Sequence, residues 1–341
     1  MKLLGFLNLG NTCYLNVVVS SFIYDAKFRQ IINERINKNE FMENLLDIIR
    51  NTDILENNEN KYQINIKTYS LKNLIDSFKV EKPWFEVFNQ NDSHEFLMYF
   101  MDLISKYTII KSDIEPIFKV SVRNAQKDAP GVADTTWLKF LKQNNSKMSR
   151  LYYGQLKTSV KCCNCKHVSI SFNEFNSINL DLPENDLINN NNEISLSDLF
   201  SNYLKSEIFN DPKNLFFCDK CNEYSVSTKK YSLYRLPEKL IIILNRYSSD
   251  GMKKNISVSF PLNDLKIKEK SSLKTYDYSL CSIINHYGIH RGGHYNCLNK
   301  INNNWFLIDD VNFKIINFND NTDLKNRESY ILMYAKELII I

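Results

Sequence analysis

Glycine and proline are scarce in this chain, at 8 and 7 of 341 residues, and no internal repeat is visible. With 21 Phe, 19 Tyr and 3 Trp present, a collagen-like, low-complexity or disordered chain is excluded, and ample material remains for a buried core. A long hydrophobic run is also missing. The clearest, Leu240 to Leu244, falls far short of the roughly 18 residues that span a bilayer. Charge of one sign is absent too: 43 Lys and Arg face 39 Asp and Glu, a net +4 with no basic block. Neither nucleic acid nor an anionic membrane is therefore the expected partner. The apolar start Leu3-Leu4-Gly5-Phe6-Leu7 breaks at Asn8 and Gly10 with no small-residue cleavage site, so the expected location is intracellular, cytoplasmic or nuclear, without a leader. No GxGxxG, P-loop or HExxH pattern occurs, which leaves kinase, dehydrogenase and metalloprotease chemistry unsupported.

What the chain does contain falls into three stretches. From residue 1 to about 150 the patterns are helical: Tyr14, Val17, Val18, Ser21 and Phe22 share one helical face, as do Phe96, Tyr99, Phe100, Leu103 and Ile104. Each run follows an N-cap residue, so two amphipathic helices are expected. From about Leu151 the period becomes two, at Leu156, Thr158, Val160 and Cys162 and at Ile178, Leu180 and Leu182. After about Arg235 come the buried strand at Leu240 to Leu244, alternation from Tyr278 to His286, and a last strand around Tyr330 to Tyr334. Asn189 to Asn192 reads as a loop and Asn302 to Asn304 as a hairpin turn.

Eight cysteines are distributed unevenly, as two CxxC pairs, one adjacent extra and three singletons. Without a secretion signal, that pattern points to metal and catalysis and away from a disulfide framework. Cys13 falls in the first turn of the first helix, where the helix dipole lowers a thiol's pKa. Taken alone it reads more readily as a buried cysteine at a helix start. A thiol hydrolase also needs an imidazole and a group to orient it, and His294, behind Gly292 and Gly293, and Asp309 and Asp310 supply both types. Successive strand residues face opposite ways, so only one of the two aspartates is expected to face the ring, and periodicity leaves open which.

Gly5 through Cys13-Tyr14-Leu15-Asn16 resembles the cysteine box of the ubiquitin-specific proteases, and Gly292-Gly293-His294-Tyr295 through Trp305 and Asp309-Asp310 resembles their histidine box. Gln90-Asn91-Asp92-Ser93-His94-Glu95-Phe96 is similar to the family's acidic motif, and Leu236-Pro237-Glu238-Lys239-Leu240 through Asn245-Arg246-Tyr247 to its palm strand. The resemblance implies an α+β, papain-like cysteine protease fold in one catalytic domain, residues 1–341. A helical thumb would take 1–150, zinc-binding β fingers 151–235 and a β-rich palm 236–341. It implies Cys13 as nucleophile, His294 as general base and acid, Asp309 as orienting residue, Asp310 as its support or partial replacement, and Asn8 as an oxyanion donor. Asn two residues before Gly is also ordinary turn chemistry. Asp92 and Glu95 fit a capping box as well as contact with ubiquitin's basic tail. Asn91 departs from the family's usual Gln. His286, Gly293 and Tyr295 are implied as walls of a channel that admits only Gly-Gly.

Cys162-x-x-Cys165 and Cys218-x-x-Cys221 have the spacing of two knuckles holding a structural, four-thiolate Zn²⁺. Cys163 and His167 are the weaker ligand choices, and Cys281 and Cys297 read as core residues. The expected activity is a deubiquitinating thiol hydrolase, cleaving the isopeptide or peptide bond after ubiquitin's C-terminal Gly through an acyl-enzyme. Its partners would be ubiquitin or ubiquitin-conjugated proteins, with no nucleic acid, no membrane and a monomeric state. The alternatives are an inactive zinc-containing ubiquitin-binding scaffold, or the same chemistry on a ubiquitin-like modifier. Activity is expected to fall in acid as the imidazole becomes charged before attack.

Overall fold

The computed structural model describes residues 1–34, 39–52, 64–110, 129–183, 192–248, 251–289, 292–318 and 323–337. The loop expected around Asn189 and the histidine at position 290 lie outside the described residues, apart from the loop's end at Asn192. Strand β1 (Lys2–Phe6) leads into helices α1 (Cys13–Ile23), α2 (Ala26–Asn33) and α3 (Glu40–Asn51). Strand β2 (Asn65–Tyr69) pairs in parallel with β1, and α4 (Lys72–Glu81), α5 (Ser93–Tyr107), α6 (Ala129–Asn144) and α7 (Lys147–Tyr152) follow.

Strands then dominate: β3 (Gly154–Cys162), β4 (Val168–Phe175), β5 (Ile178–Asp181), β6 (Glu193–Ser195), the short helix α8 (Leu196–Tyr203), β7 (Glu207–Phe209), β8 (Phe216–Cys218), β9 (Glu223–Ser225) and β10 (Ser227–Arg235). The remainder is β11 (Lys239–Asn245), β12 (Ser257–Phe260), β13 (Leu265–Lys268), β14 (Thr275–Ile289), β15 (Gly292–Ile301), β16 (Asn304–Asp309), β17 (Asn312–Ile316), β18 (Leu324–Asn326) and β19 (Ser329–Lys336). One sheet runs β4-β3-β10-β7; the largest runs β17-β16-β15-β14-β19-β11-β5, with β13 added beside β14.

A strand that is apolar at every position needs cover on both faces, because its side chains alternate. Strand β11 is the clearest case. Ile241 and Ile243 enter the core shared with the helices, whereas Leu240, Ile242 and Leu244 enter a second core on the other side. Strand β19 divides in the same way, Ile331 and Met333 one way and Leu332 and Tyr334 the other. The large sheet is thus a partition between two cores. Strand β5 pairs in parallel with β11, so the chain visits the large sheet between β4 and β7 before returning to the smaller one.

Helix α1 departs from expectation: all eleven of its residues are buried, so it is enclosed rather than amphipathic. It packs on β14 and β15 and against α2 and α5, which leaves it no solvent face. Helix α5 follows the expected pattern, with Asp92 as N-cap and Phe96, Phe100, Leu103 and Ile104 buried. Strands β1 and β2 lie inside the stretch read as helical; buried Leu3, Leu4 and Phe6 form a short apolar run without helical period. The turn between β15 and β16 places Asn302 and Asn303 at φ 48° and 64°, the left-handed pair that closes a tight hairpin.

Gly5 is where β1 meets the turn beyond β16. A Cβ there would lie 2.6 Å from Val311 Cα and 2.7 Å from its carbonyl oxygen, both backbone atoms with little room to move. Gly5→Ala is expected to destabilise the fold by roughly 1–3 kcal/mol, read as a lower urea-denaturation midpoint. An unchanged midpoint would contradict the close approach.

Candidate active site

Cys13 opens α1 and is buried. The loop before it is shaped by Asn8, whose Oδ1 accepts from Gly10 N–H at 3.2 Å and Thr12 N–H at 3.1 Å, while Thr12 Oγ1 accepts from Leu9 N–H at 2.9 Å. Gly10 and Asn11 take left-handed φ of 101° and 55° to complete the turn. Turn chemistry therefore uses the oxygen of Asn8 and leaves its Nδ2 to donate elsewhere. That nitrogen donates to Asp310 Oδ2 at 3.1 Å.

Strand β15 brings His294 to the same place. Its Nε2 lies 2.6 Å from Asp309 Oδ1, and Cys13 is close enough to act on the ring's charge. With Nε2 engaged by Asp309, Nδ1 is the nitrogen left for the thiol. Interactions with Cys13 and the Asp309 carboxylate together outweigh partial burial and push the ring's pKa up to about 9. Of the two aspartates only Asp309 bonds the ring, although strand alternation is not what separates them: β16 ends at Asp309, and Asp310 sits in a left-handed turn at φ 50°. Strand alternation no longer applies there. The ring nitrogen and both carboxylates come within 4.8 Å of one another, yet Asp310 spends its oxygens on Asn8 and Asn16.

Beyond the histidine, β14 and β15 pair His286 with Tyr295 and Gly288 with Gly293. The rings of His286 and Tyr295 are 4.5 Å apart, and Tyr247 Oη meets His286 Nδ1 at 2.6 Å. A Cβ on Gly293 would run into His286 Nε2 and the Tyr287 carbonyl, so only glycine fits. Asp92 caps α5 through His94 N–H at 2.6 Å and accepts Tyr330 Oη–H at 2.7 Å on its other oxygen. Burial, reinforced by the Asp92 charge, holds the Tyr295 and Tyr330 hydroxyls neutral. Glu95 stands apart, on the solvent side of α5, accepting from Tyr99 Oη at 3.4 Å.

Sequence reasoning did not single out Asn16, Lys253, Glu328, Tyr330 or the role of Arg246. Arg246 is 1% exposed and bonds the carbonyls of Lys254, Ile256, Asn326 and Ser329. Burial draws its guanidinium down to about 10. It ties the segment after β11 to the β18–β19 turn, and those segments supply Tyr247, Lys253 and Glu328, all of which bond His286. A polar residue inside an otherwise apolar segment was the available signal for Asn16; the others carry no local signature.

A second cluster lies where the β3–β4 hairpin meets the separate two-stranded β8–β9 hairpin. The thiols of Cys162, Cys165, Cys218 and Cys221 all fall within 4.8 Å of one another, a group able to hold a metal ion, and Cys163 and His167 are not part of it. The Sγ atoms of Cys162 and Cys221 are 3.8 Å apart and those of Cys165 and Cys218 are 3.6 Å apart. Four sulfurs about 2.3 Å from a tetrahedral centre lie about 3.8 Å from each other, so the spacing fits. Both turns are built alike: Lys166 N–H bonds Cys162 O, Asn222 N–H bonds Cys218 O, and Lys166 and Asn222 take φ of 61° and 58°.

Comparison with known proteins agrees with this geometry. Residues 4–334 match the family described as ubiquitin carboxyl-terminal hydrolase. Ubiquitin carboxyl-terminal hydrolase 21 of Mus musculus is 27% identical over 358 residues, covering 97% of this chain. Ubiquitin carboxyl-terminal hydrolase Usp2 of Drosophila melanogaster is 26% identical over 342 residues, covering 98%. The chain spans 61% of the mouse protein's length and 35% of the fly protein's. Two solved structures of the SAGA Ubp8/Sgf11/Sus1/Sgf73 DUB module, bound to monoubiquitin and to ubiquitin aldehyde, superpose with TM-scores of 0.70 and 0.69 at 18% identity. Each alignment covers 98% of this chain and 69% of that one, and shows a shared α+β fold. On the match across nearly its whole length, the chain belongs to the ubiquitin carboxyl-terminal hydrolase family.

Proposed function

We propose that this chain hydrolyses the isopeptide or peptide bond after the C-terminal glycine of ubiquitin, with Cys13 as nucleophile. The observation that carries the reading is the grouping of Cys13, His294 and Asp309, with His294 Nε2 2.6 Å from Asp309 Oδ1 and Cys13 acting on the same ring. The thiolate attacks the glycine carbonyl carbon, and negative charge collects on the oxygen. The second N–H of Asn8 Nδ2, beyond the one given to Asp310, is the proposed donor to it, a contribution of roughly 3 kcal/mol in a dry site. His294 gives its proton to the departing amine as the C–N bond breaks, leaving a thioester on Cys13. The neutral ring then takes a proton from water, which attacks the thioester and releases the carboxylate. Asp309 fixes the ring and favours its charged form. Asp310 holds the Asn8 amide rather than the ring.

Asp92, His286, Gly293 and Tyr295 are the proposed contacts for the substrate's tail; Glu95 is a peripheral one. The close fit of His286 over Gly293 suits a substrate ending in glycines. The thumb, fingers and palm divisions at 1–150, 151–235 and 236–341 remain part of this reading. The four-thiol group is proposed as a zinc site, closed by protein ligands and therefore structural; bound there, the ion would clip two hairpins together. All eight cysteines are free thiols, in keeping with a cytosolic or nuclear location, and the protein is proposed to act as a monomer. Among the described residues no helix is long and apolar enough to cross a membrane.

Ubiquitin bearing a fluorogenic C-terminal amide should be turned over by the wild-type protein, and Cys13→Ala should lower the rate by on the order of 10⁴ or more. Failure on ubiquitin with turnover of a ubiquitin-like modifier would move the substrate assignment, and failure on both would favour a binding scaffold. The pH profile has a definite sign. A ring pKa raised to about 9 favours a charged His294 through neutral pH, so the fall in acid expected from the sequence is not assigned to its protonation. Loss of the proton as pH rises through about 9 should instead produce an alkaline limb in kcat/KM, and Asp309→Asn should shift that limb downward. For the metal, Cys218→Ser should strip zinc and lower the melting temperature, whereas Cys163→Ser should retain it, as read by elemental mass spectrometry. Equal zinc loss in both would overturn the ligand set.

A further inference from the structure

Helix α1 carries an amide one turn beyond the nucleophile, on a helix with no exposed face. Asn16 is 2% exposed. Its Nδ2 lies 2.8 Å from Asp310 Oδ1 and 3.4 Å and 3.3 Å from the carbonyl oxygens of Phe6 and Leu7. Its Oδ1 is buried with no hydrogen-bond partner. Because all three neighbours are acceptors, the amide has one workable orientation; turned over, its oxygen would face a carboxylate and two carbonyls. An orphaned buried oxygen is unfavourable, so the contact made by Nδ2 must offset it.

That contact ends on a carboxylate shared by two amides. Asp310 Oδ1 accepts from Asn16 on the buried side, and Asp310 Oδ2 accepts from Asn8 at 3.1 Å on the exposed side. The Asp310 backbone is fixed as well, its carbonyl accepting Phe6 N–H at 2.9 Å from a left-handed turn. A carboxylate pinned through one oxygen offers the other in a single direction, and charge-assisted bonds of this kind are the strong ones. Asn8 is thereby gripped at both ends, its Oδ1 by backbone N–H groups and its Nδ2 by Asp310, with a second Nδ2–H left over.

We propose that Asn16 is a positioning residue for the oxyanion donor: by pinning Asp310 it aims the spare Asn8 Nδ2–H at the place where negative charge develops. The proposal rests on the reading of Asn8 as that donor.

The test is hydrolysis of ubiquitin carrying a fluorogenic C-terminal amide by wild type, Asn8→Ala, Asn16→Ala, Asn16→Asp and the Asn8→Ala/Asn16→Ala double variant. The rate of Cys13 alkylation by iodoacetamide is followed in parallel, since alkylation forms no oxyanion. Asn16→Ala is expected to lower kcat by about tenfold with KM little changed, less than complete loss of an oxyanion donor. Asn16→Asp should do at least as much, because it sets a second carboxylate against Asp310. Alkylation should stay within about twofold of wild type, and the double variant should be no slower than Asn8→Ala alone. Additive losses in the double variant, an alkylation rate falling in step with kcat, or an unchanged kcat would each overturn the proposal. A loss in Asn8→Ala with none in Asn16→Ala defeats this inference alone; no loss in Asn8→Ala defeats the Asn8 assignment and the inference with it. Should Asn16→Ala unfold the helix, Asp310→Asn tests the same path from the turn. It must reduce kcat and be silent on the Asn8→Ala background, and a further loss there refutes the path.

Discussion

The enclosure of α1 between the large sheet and its neighbouring helices is the constraint on which the site depends. Val17, Val18, Val19, Phe22 and Ile23 are all buried in the first core. At about 1.5–3 kcal/mol for each fully buried side chain, their combined burial is of the same order as the net stability of a whole domain. A helix held so firmly cannot rotate to suit a substrate. Cys13, its first residue, is presented to His294 by the same packing that stabilises the fold, and the site inherits the rigidity of the core.

The sequence was most legible where a side chain's chemistry and its neighbours in the chain carry the information together. Asp92 caps α5 as its position before an apolar run implies. The Leu240 to Leu244 run is a strand buried on both faces, and Asn302-Asn303 makes the tight turn expected of it. The two CxxC spacings put four sulfurs within reach of one another. Legibility stopped where tertiary contact decides the outcome. Periodicity assumed that Asp310 continues a strand, and no local pattern announces a left-handed residue one step after the strand ends. The enclosure of α1 was hidden for the same reason: its apolar stripe was visible, but what covers Ser20 and Asn16 is supplied by distant strands.

Several buried polar residues bind this architecture together without joining the chemistry. Ser282 Oγ meets Ser21 Oγ at 2.8 Å and Asn299 Oδ1 at 2.6 Å, a small polar seam between α1 and the sheet. Lys239 pairs with Asp25 at the head of α2, and Lys27 pairs with Glu238 alongside. The first pair is mostly shielded from water and the second is about half exposed, so the second adds little, by the usual measure of surface ion pairs. Arg246 performs a similar service around His286, gathering carbonyl groups that would otherwise face an apolar interior.

Strand β19 lies between β14 and β11 near the middle of the large sheet, although it is the last of the described strands in chain order. A growing polypeptide that has emerged from the ribosome as far as β18 would still leave the edges of β14 and β11 bare. Closing them requires non-local pairings such as Asn285 with Ser329 and Lys239 with Ala335, the slow kind of contact in folding. Within the described chain Cys13 precedes every strand of that sheet, while β19, which pairs with the β14 beside His294's own strand, comes after all of them. The order of strands makes the sheet that seats His294 complete only once β19 has paired.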